Sequence, residues 1–353
     1  MLADWISPAA LMTKDLPGLS GRIKVHPEDF EVEEIPAYPP CGTGDHLFLW
    51  VEKRGMGAEF FHRRIAHCLE IPVGDVGVAG LKDRHAVTRQ MVSVPASCEA
   101  RIPHLEAEGI RVLNSQRHQN KLKTGHLRGN RFNILIREVD PNSLSSLNSL
   151  VERLRSKGIP NFYGAQRFGR DGETLDLGLD LLRGGRGKRT NPFLRRLALS
   201  SIQSALFNHY IVQRFQDGKM FTVLAGDVMM KWPNGGMFVA RDLAVEQARL
   251  DMREIIPGGP IFGPKMFPAE GEALLRECQL LQLHELQLES FAGQGKLMAG
   301  TRRYTVVYVD NLEARVEEHG VRVRFDLPSG CYATILLGEL THSSNLVEEG
   351  KAG

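Results

Sequence analysis

Apolar and polar positions alternate over residues 28–35, EDFEVEEI, with Phe30 and Val32 on one face, and this pattern predicts a strand. LFLWVEK at 47–53, MVSVP at 91–95 and RFNILI at 131–136 read as strands as well. Residues 58–70, AEFFHRRIAHCLE, instead place Phe61, Ile65, Cys68 and Leu69 on one stripe, which is a helical spacing. In residues 140–158, DPNSLSSLNSLVERLRSKG, the stripe is Leu144, Leu147, Val151 and Leu154. Asp140 or Asn142 supplies its cap, Pro141 suits the first turn, and Gly158 ends it.

The texture then changes. NPFLRRLALSSIQSALFNHYIVQRFQDG (191–218) predicts a long helix closed by Gly218, and EGEALLRECQLLQLHEL (270–286) predicts another. WPNGG, PGGPIFGP and AGQG read as loops. Strand patterns return with YTVVYV (304–309), VRVRFDLP (321–328) and CYATILL (331–337). In the second of these, Val321, Val323, Phe325 and Leu327 share one face, and Arg322, Arg324 and Asp326 share the other. Strands at both ends of a helical, loop-rich middle predict a mixed α+β domain interrupted by an insertion. Its two parts are 1–159 and 304–353, and the second module is 160–303.

Composition adds limits. The 353 residues suffice for two domains, and 42% hydrophobic with 24% charged residues are globular values. Five cysteines lie far apart without a CxxC pair, and the twelve histidines form no HExxH, so zinc-ribbon, thioredoxin-like and metalloprotease readings fall away. No apolar run reaches the roughly 18 residues of a membrane span. Free thiols and the lack of an export signal point to the cytoplasm.

Net charge is only +2, but its distribution is uneven. Residues 111–137 hold Arg111, Arg117, Lys121, Lys123, Arg128, Arg131 and Arg137 with no Asp or Glu. A second acid-free window, 183–196, holds Arg183, Arg186, Lys188, Arg189, Arg195 and Arg196. Such windows suit a phosphate backbone, and binding would then weaken steeply with salt. Solvated faces or an acidic protein partner fit the same pattern.

The chemistry centres on GLKDRHAVTRQ, residues 80–90. The chain has no GxSxG, no Walker A loop and no GxGxxG opening a helix. An ionised carboxylate placed at a reacting carbon remains a route to catalysis. Free Asp, with a pKa of about 3.9, ionises easily in water, but a dry pocket requires a nearby cation. On extended backbone Lys82 and Arg84 both point away from Asp83, so that cation is expected from elsewhere in the chain.

GLKDRHAVTRQ resembles the active-site signature of the TruD family of pseudouridine synthases, GxKDxxAxTxQ. Four further stretches resemble the family's motifs in order: KVHPEDFEVEE, LRGNRF, NFYGAQRFG and LPSGCYAT. Together they span residues 24–334. The resemblance implies a pseudouridine-synthase-type catalytic domain with a mixed, mostly antiparallel sheet, interrupted by an inserted α/β TRUD module. It implies tRNA as partner, with no membrane and no obligate protein partner. It also implies no cofactor and no metal. Asp83 matches the nucleophile that attacks uridine, most often uridine 13 of the D arm.

The same resemblance marks the substrate-binding candidates. Lys24 is the leading candidate for the cation near Asp83. Phe30 stacks on the base, supports the pocket or is a core aromatic. Asn130 reads the uracil edge or is a turn residue, and Phe132 shares its side of the strand. Tyr332 stands where the family usually has phenylalanine. Candidates for RNA contact are Lys82, Arg84, Arg128, Arg131, Gln166, Arg167, Arg186, Lys188 and Arg189. A synthase for another RNA and a noncatalytic RNA-binding protein are the alternatives.

Overall fold

A computed structural model of the chain describes residues 6, 10–106, 109–183 and 191–343. They form two compact units. One holds 13–157 and 308–333 with the described part of 337–353. The other holds 158–307 and 334–336 with the described part of 1–12.

The first unit opens with β1 (Phe30–Pro36), β2 (His46–Arg54), α1 (Ala58–Cys68), β3 (Gly77–Val78) and β4 (Val87–Pro95). It continues through α2 (Pro103–Glu106), β5 (Ile110–His118), β6 (Leu127–Arg137) and α3 (Leu147–Lys157). Alternation along β2 sends Leu47, Leu49 and Val51 inward, where Phe61, Ile65 and Leu69 and then Val92 and Val94 of β4 meet them. Each such side chain contributes about 1.5–3 kcal/mol by leaving water. On the opposite face Phe48 and Met91 pack with Ala79 and Leu122. The cap before α3 falls on Asp140, whose carboxylate accepts the Asn142 N–H and starts a 3₁₀ turn. Leu147, Leu150, Val151 and Leu154 then form the buried stripe.

The second unit runs through β7 (Ile159–Pro160), α4 (Glu173–Leu182), α5 (Pro192–Gln216), β8 (Val228–Lys231) and β9 (Met237–Val239). After these come α6 (Leu243–Asp251), β10 (Ile255–Ile261), α7 (Gly271–Gln282), β11 (Thr301–Tyr304) and β12 (Val306–Val307). The Asn191 carboxamide accepts the Leu194 N–H and starts α5. Around α5 gathers a core of Ile202, Leu206 and Tyr210 with Phe168, Leu175, Phe262, Leu280 and Phe291. An antiparallel sheet, β11-β10-β8-β9, completes the unit, and β7 pairs with β12.

PGGPIFGP was expected to be a loop, but its first residues belong to β10, every residue of which is buried. Its glycines serve close packing: a Cβ on Gly259 would come within 2.7 Å of the Phe207 ring. The Pro257 carbonyl still accepts two bonds from Thr305.

The chain returns to the first unit with β13 (Asp310–Glu317) and β14 (Gly320–Pro328); α8 (Ala333–Thr341) follows, its residues 334–336 belonging to the other unit. The main sheet has the order β13-β14-β6-β1-β4-β2-β5, with β3 on β4. β1 and β4 are parallel and the other pairings among the described strands of this sheet are antiparallel, so the sheet is mixed and mostly antiparallel as expected. CYATILL is not a strand: from Ala333 onward it is helical, and Leu336, Leu337 and Leu340 are buried at helical spacing. So short an apolar run fits either period, and Tyr332, extended at φ −113°, stands at the switch. No helix among the described residues is long and apolar enough to cross a membrane.

Candidate active site

Four of the five motif segments lie together in the first unit. β1 carries the first, β4 begins within the second, β6 carries the third, and β14 leads into the last. Register places Val32 opposite Phe132 and Phe132 opposite Phe325, one row across three strands. In the next row Glu34, Asn130 and Leu327 stand opposite one another. The strands close tightly here, because a Cβ on Gly129 would fall 2.2 Å from the Leu327 carbonyl oxygen.

Asp83 lies on the irregular stretch between β3 and β4, with its side chain 44% exposed. Lys24 Nζ stands 3.7 Å from Asp83 Oδ2. The same ammonium lies 4.3 Å over the Phe30 ring, a cation–π contact that fixes its direction. Lys24 itself has φ +58°, in the left-handed region that favours glycine. Phe30 is buried and meets Phe132 edge-on at 6.3 Å. Phe132 stacks on Phe325 at 5.0 Å. Aromatic pairs of this kind contribute about 0.5–1.5 kcal/mol beyond area burial, so the floor beneath Lys24 is stiff.

Extended backbone sends neighbours to opposite sides, and Lys82 turns inward as Asp83 turns out. Lys82 Nζ donates to Glu34 Oε2 at 2.7 Å, with side chains 4% and 1% exposed. Its ammonium therefore faces a buried partner in this structure. Glu34 Oε1 accepts the Met91 N–H. Asn130 Oδ1, Thr88 Oγ1 and Gln90 Oε1 are shielded from solvent and have no hydrogen-bond partner among the described residues. An unmatched buried polar atom costs about 1–3 kcal/mol, so these three mark where a donor is wanted.

The remaining candidates are dispersed. Arg84 and Arg128 are exposed, and Arg128 has no ion-pair partner among the described residues. Arg131 is bound by both its Nε and Nη2 to Asp326. The window around it is also less free than its sequence suggests: Arg117 pairs with Glu99, and Arg137 is held by two bonds to buried Asp29. Tyr332 is half-buried at the cap of α8. Gln166 and Arg167 belong to the other unit, where Arg167 donates to Ser200 and Ser204. Arg186, Lys188 and Arg189 lie outside the described residues.

Two residues near Asp83 escaped the sequence reading. Glu34 continues the inward series Phe30, Val32, Glu34, and Lys53 continues Leu47, Leu49, Val51, Lys53. In both cases alternation carried the signal.

Comparison with known proteins gives a consistent picture. A family profile described as tRNA pseudouridine synthase D (TruD) matches residues 9–189 and 185–340. The tRNA pseudouridine synthase D of Anaeromyxobacter sp. (strain Fw109-5) is 43% identical over 340 residues, covering 95% of this chain and 96% of that protein. A protein of the same name from Thermus thermophilus is 41% identical over 332 residues, covering 93% and 91%. A crystal structure from Methanosarcina mazei, titled for the same synthase, superposes with a TM-score of 0.75 at 22% identity, covering 94% of this chain and 96% of that one.

Proposed function

The chain belongs to the TruD family of tRNA pseudouridine synthases, enzymes that isomerise uridine to pseudouridine, and on that premise we propose that Asp83 is its nucleophile and uridine 13 of the D arm its target. The observation that carries this reading is the exposed Asp83 carboxylate 3.7 Å from Lys24 Nζ, on a sheet that gathers four motif segments.

A uridine inside folded RNA must leave its stack to reach the carboxylate. Asp83 bonds to C1′ as the N1–C1′ bond breaks, and the freed uracil anion turns. C5 then bonds to C1′ as the Asp83–C1′ bond breaks, which returns the carboxylate; C5 loses its proton and N1 gains one. Lys24 aims the carboxylate as the base displaces water, which strengthens the pair. Phe30, buried at the foot of the site, supports Lys24 and Phe132. Asn130 Oδ1, lacking a donor, accepts the uracil N3–H. We assign catalysis to the unit around the main sheet and a grip on tRNA to the insertion, and place the enzyme in the cytoplasm beside its substrate.

The target is tested by pseudouridine mapping at base resolution in a deletion strain. Position 13 should revert to uridine and recover on complementation. Pseudouridine still present at position 13 in the deletion strain would reject the assignment.

Two variants extend the reading. Lys24→Met should lower the single-turnover rate by about 10- to 100-fold, the loss of one charge-assisted contact, with tRNA affinity little changed. Arg128→Ala should weaken tRNA binding and reduce the slope of log K against log salt by about 1. An unaltered slope would remove Arg128 from the phosphate contacts.

A further inference from the structure

Lys53 ends the inward series of β2, and only 1% of its surface meets solvent. A lysine so deeply buried requires a partner. Its ammonium donates to the Met56 carbonyl and, at 3.1 Å, to the main-chain carbonyl of Asp83. It also lies 5.6 Å from the centre of the Phe61 ring in α1. Its backbone stands opposite Thr88 in β4, five residues beyond Asp83. One side chain therefore ties the end of β2, the turn before α1 and the stretch carrying Asp83.

We propose that Lys53 is a positioning residue for the reaction: it clamps the main chain of Asp83 so that the carboxylate stays in register with Lys24. The inference rests on Asp83 being the nucleophile. Asp83 is held twice, by Lys24 at its carboxylate and by Lys53 at its carbonyl. The stretch around it has no helix or strand of its own to fix it. Misplacement by an ångström can cost about 100-fold in rate, so a fixed carbonyl matters.

The charge of Lys53 supplies a second handle. Burial pulls its ammonium down to about 8, Asp83 opposes the fall and Lys82 adds to it. His62 of α1 faces the same ammonium and is itself lowered, by burial first and Lys53 second. Between pH 8 and about 10.4, the ordinary lysine value, the unfolded chain keeps a proton that the folded chain has released. This group therefore adds stability as pH rises through that window, while the clamp loses its charge. A structural role and a positioning role thus move in opposite directions.

The test compares wild type, Lys53→Met and Lys53→Gln in full-length protein on tRNA, by single-turnover rate, Kd and pH profile. The Met variant should lose about 10- to 100-fold in rate with Kd within twofold. Gln, which keeps an N–H donor, should recover part of that loss. Wild type should show a fall in rate beginning near pH 8 without loss of fold, and the Met variant should lack it. A folded Met variant with wild-type rate would overturn the clamp. So would variants whose rate, affinity and melting temperature fall together with an unchanged pH profile. If the Met variant does not fold, the Gln variant and the wild-type profile carry the same decision. Full turnover by Asp83→Asn would instead overturn the nucleophile, so the two failures are distinguishable.

Discussion

Asp83→Asn should lose turnover by more than about 10³-fold, the scale seen when a nucleophile is removed. An amide of the same size keeps the shape of the site but cannot attack carbon. Exposed at 44% and, among the described residues, paired only across 3.7 Å to Lys24, the carboxylate holds little of the fold together. Stability should change by less than about 1 kcal/mol, as for an exposed ion pair. Binding to tRNA should stay the same or tighten, because one negative charge facing phosphates has gone. Tritium release from C5-labelled uridine reads the loss, and a filter-binding titration reads the retained affinity. Turnover within tenfold of wild type would end the nucleophile assignment.

Lys82→Met should have the largest effect on stability in this region. It strands Glu34, whose side chain is 1% exposed, without its cation. Breaking a buried pair by removing one partner costs about 3–5 kcal/mol. The double variant Lys82→Met/Glu34→Leu should recover most of that, since an apolar pair of similar volume is often neutral or better. Urea midpoints at constant m-value report both. A single variant within about 1 kcal/mol of wild type would mean that water reaches the pair, contrary to a dry burial of both charges. If Lys82 is structural, the double variant should also bind tRNA with an unchanged salt slope. A reduced slope would return Lys82 to the RNA surface.

Alternation made β1, β2, β6 and β14 legible, because one buried face forces period two on a strand. Asp83 was another matter: the charges around it favour a surface turn, and its motif carried the reading. What places Lys24 beside it is pairing between segments far apart in sequence, which local pattern does not encode.

The first basic window, 111–137, is less free than its sequence suggests. It contains no acids of its own, yet Glu99, Asp29 and Asp326 arrive from elsewhere and neutralise Arg117, Arg137 and Arg131. Lys53 was readable from its place in an alternating series. It was passed over because lysine is almost never fully buried without a partner, and its partners are main-chain carbonyls that a sequence does not display.

The pairing of β14 with β6 has a consequence for how the enzyme comes into being. Arg131 and Asp326, which face each other across that pair, are 195 residues apart. On the ribosome all of 158–307 is made before β14 exists, and chains tend to fold unit by unit as they emerge. The Phe325 ring beneath Phe132 is thus among the last parts of the site to be supplied. A nascent chain can display its nucleophile long before it owns the floor under it, so competence to modify tRNA is reserved for a chain that has already emerged through β14.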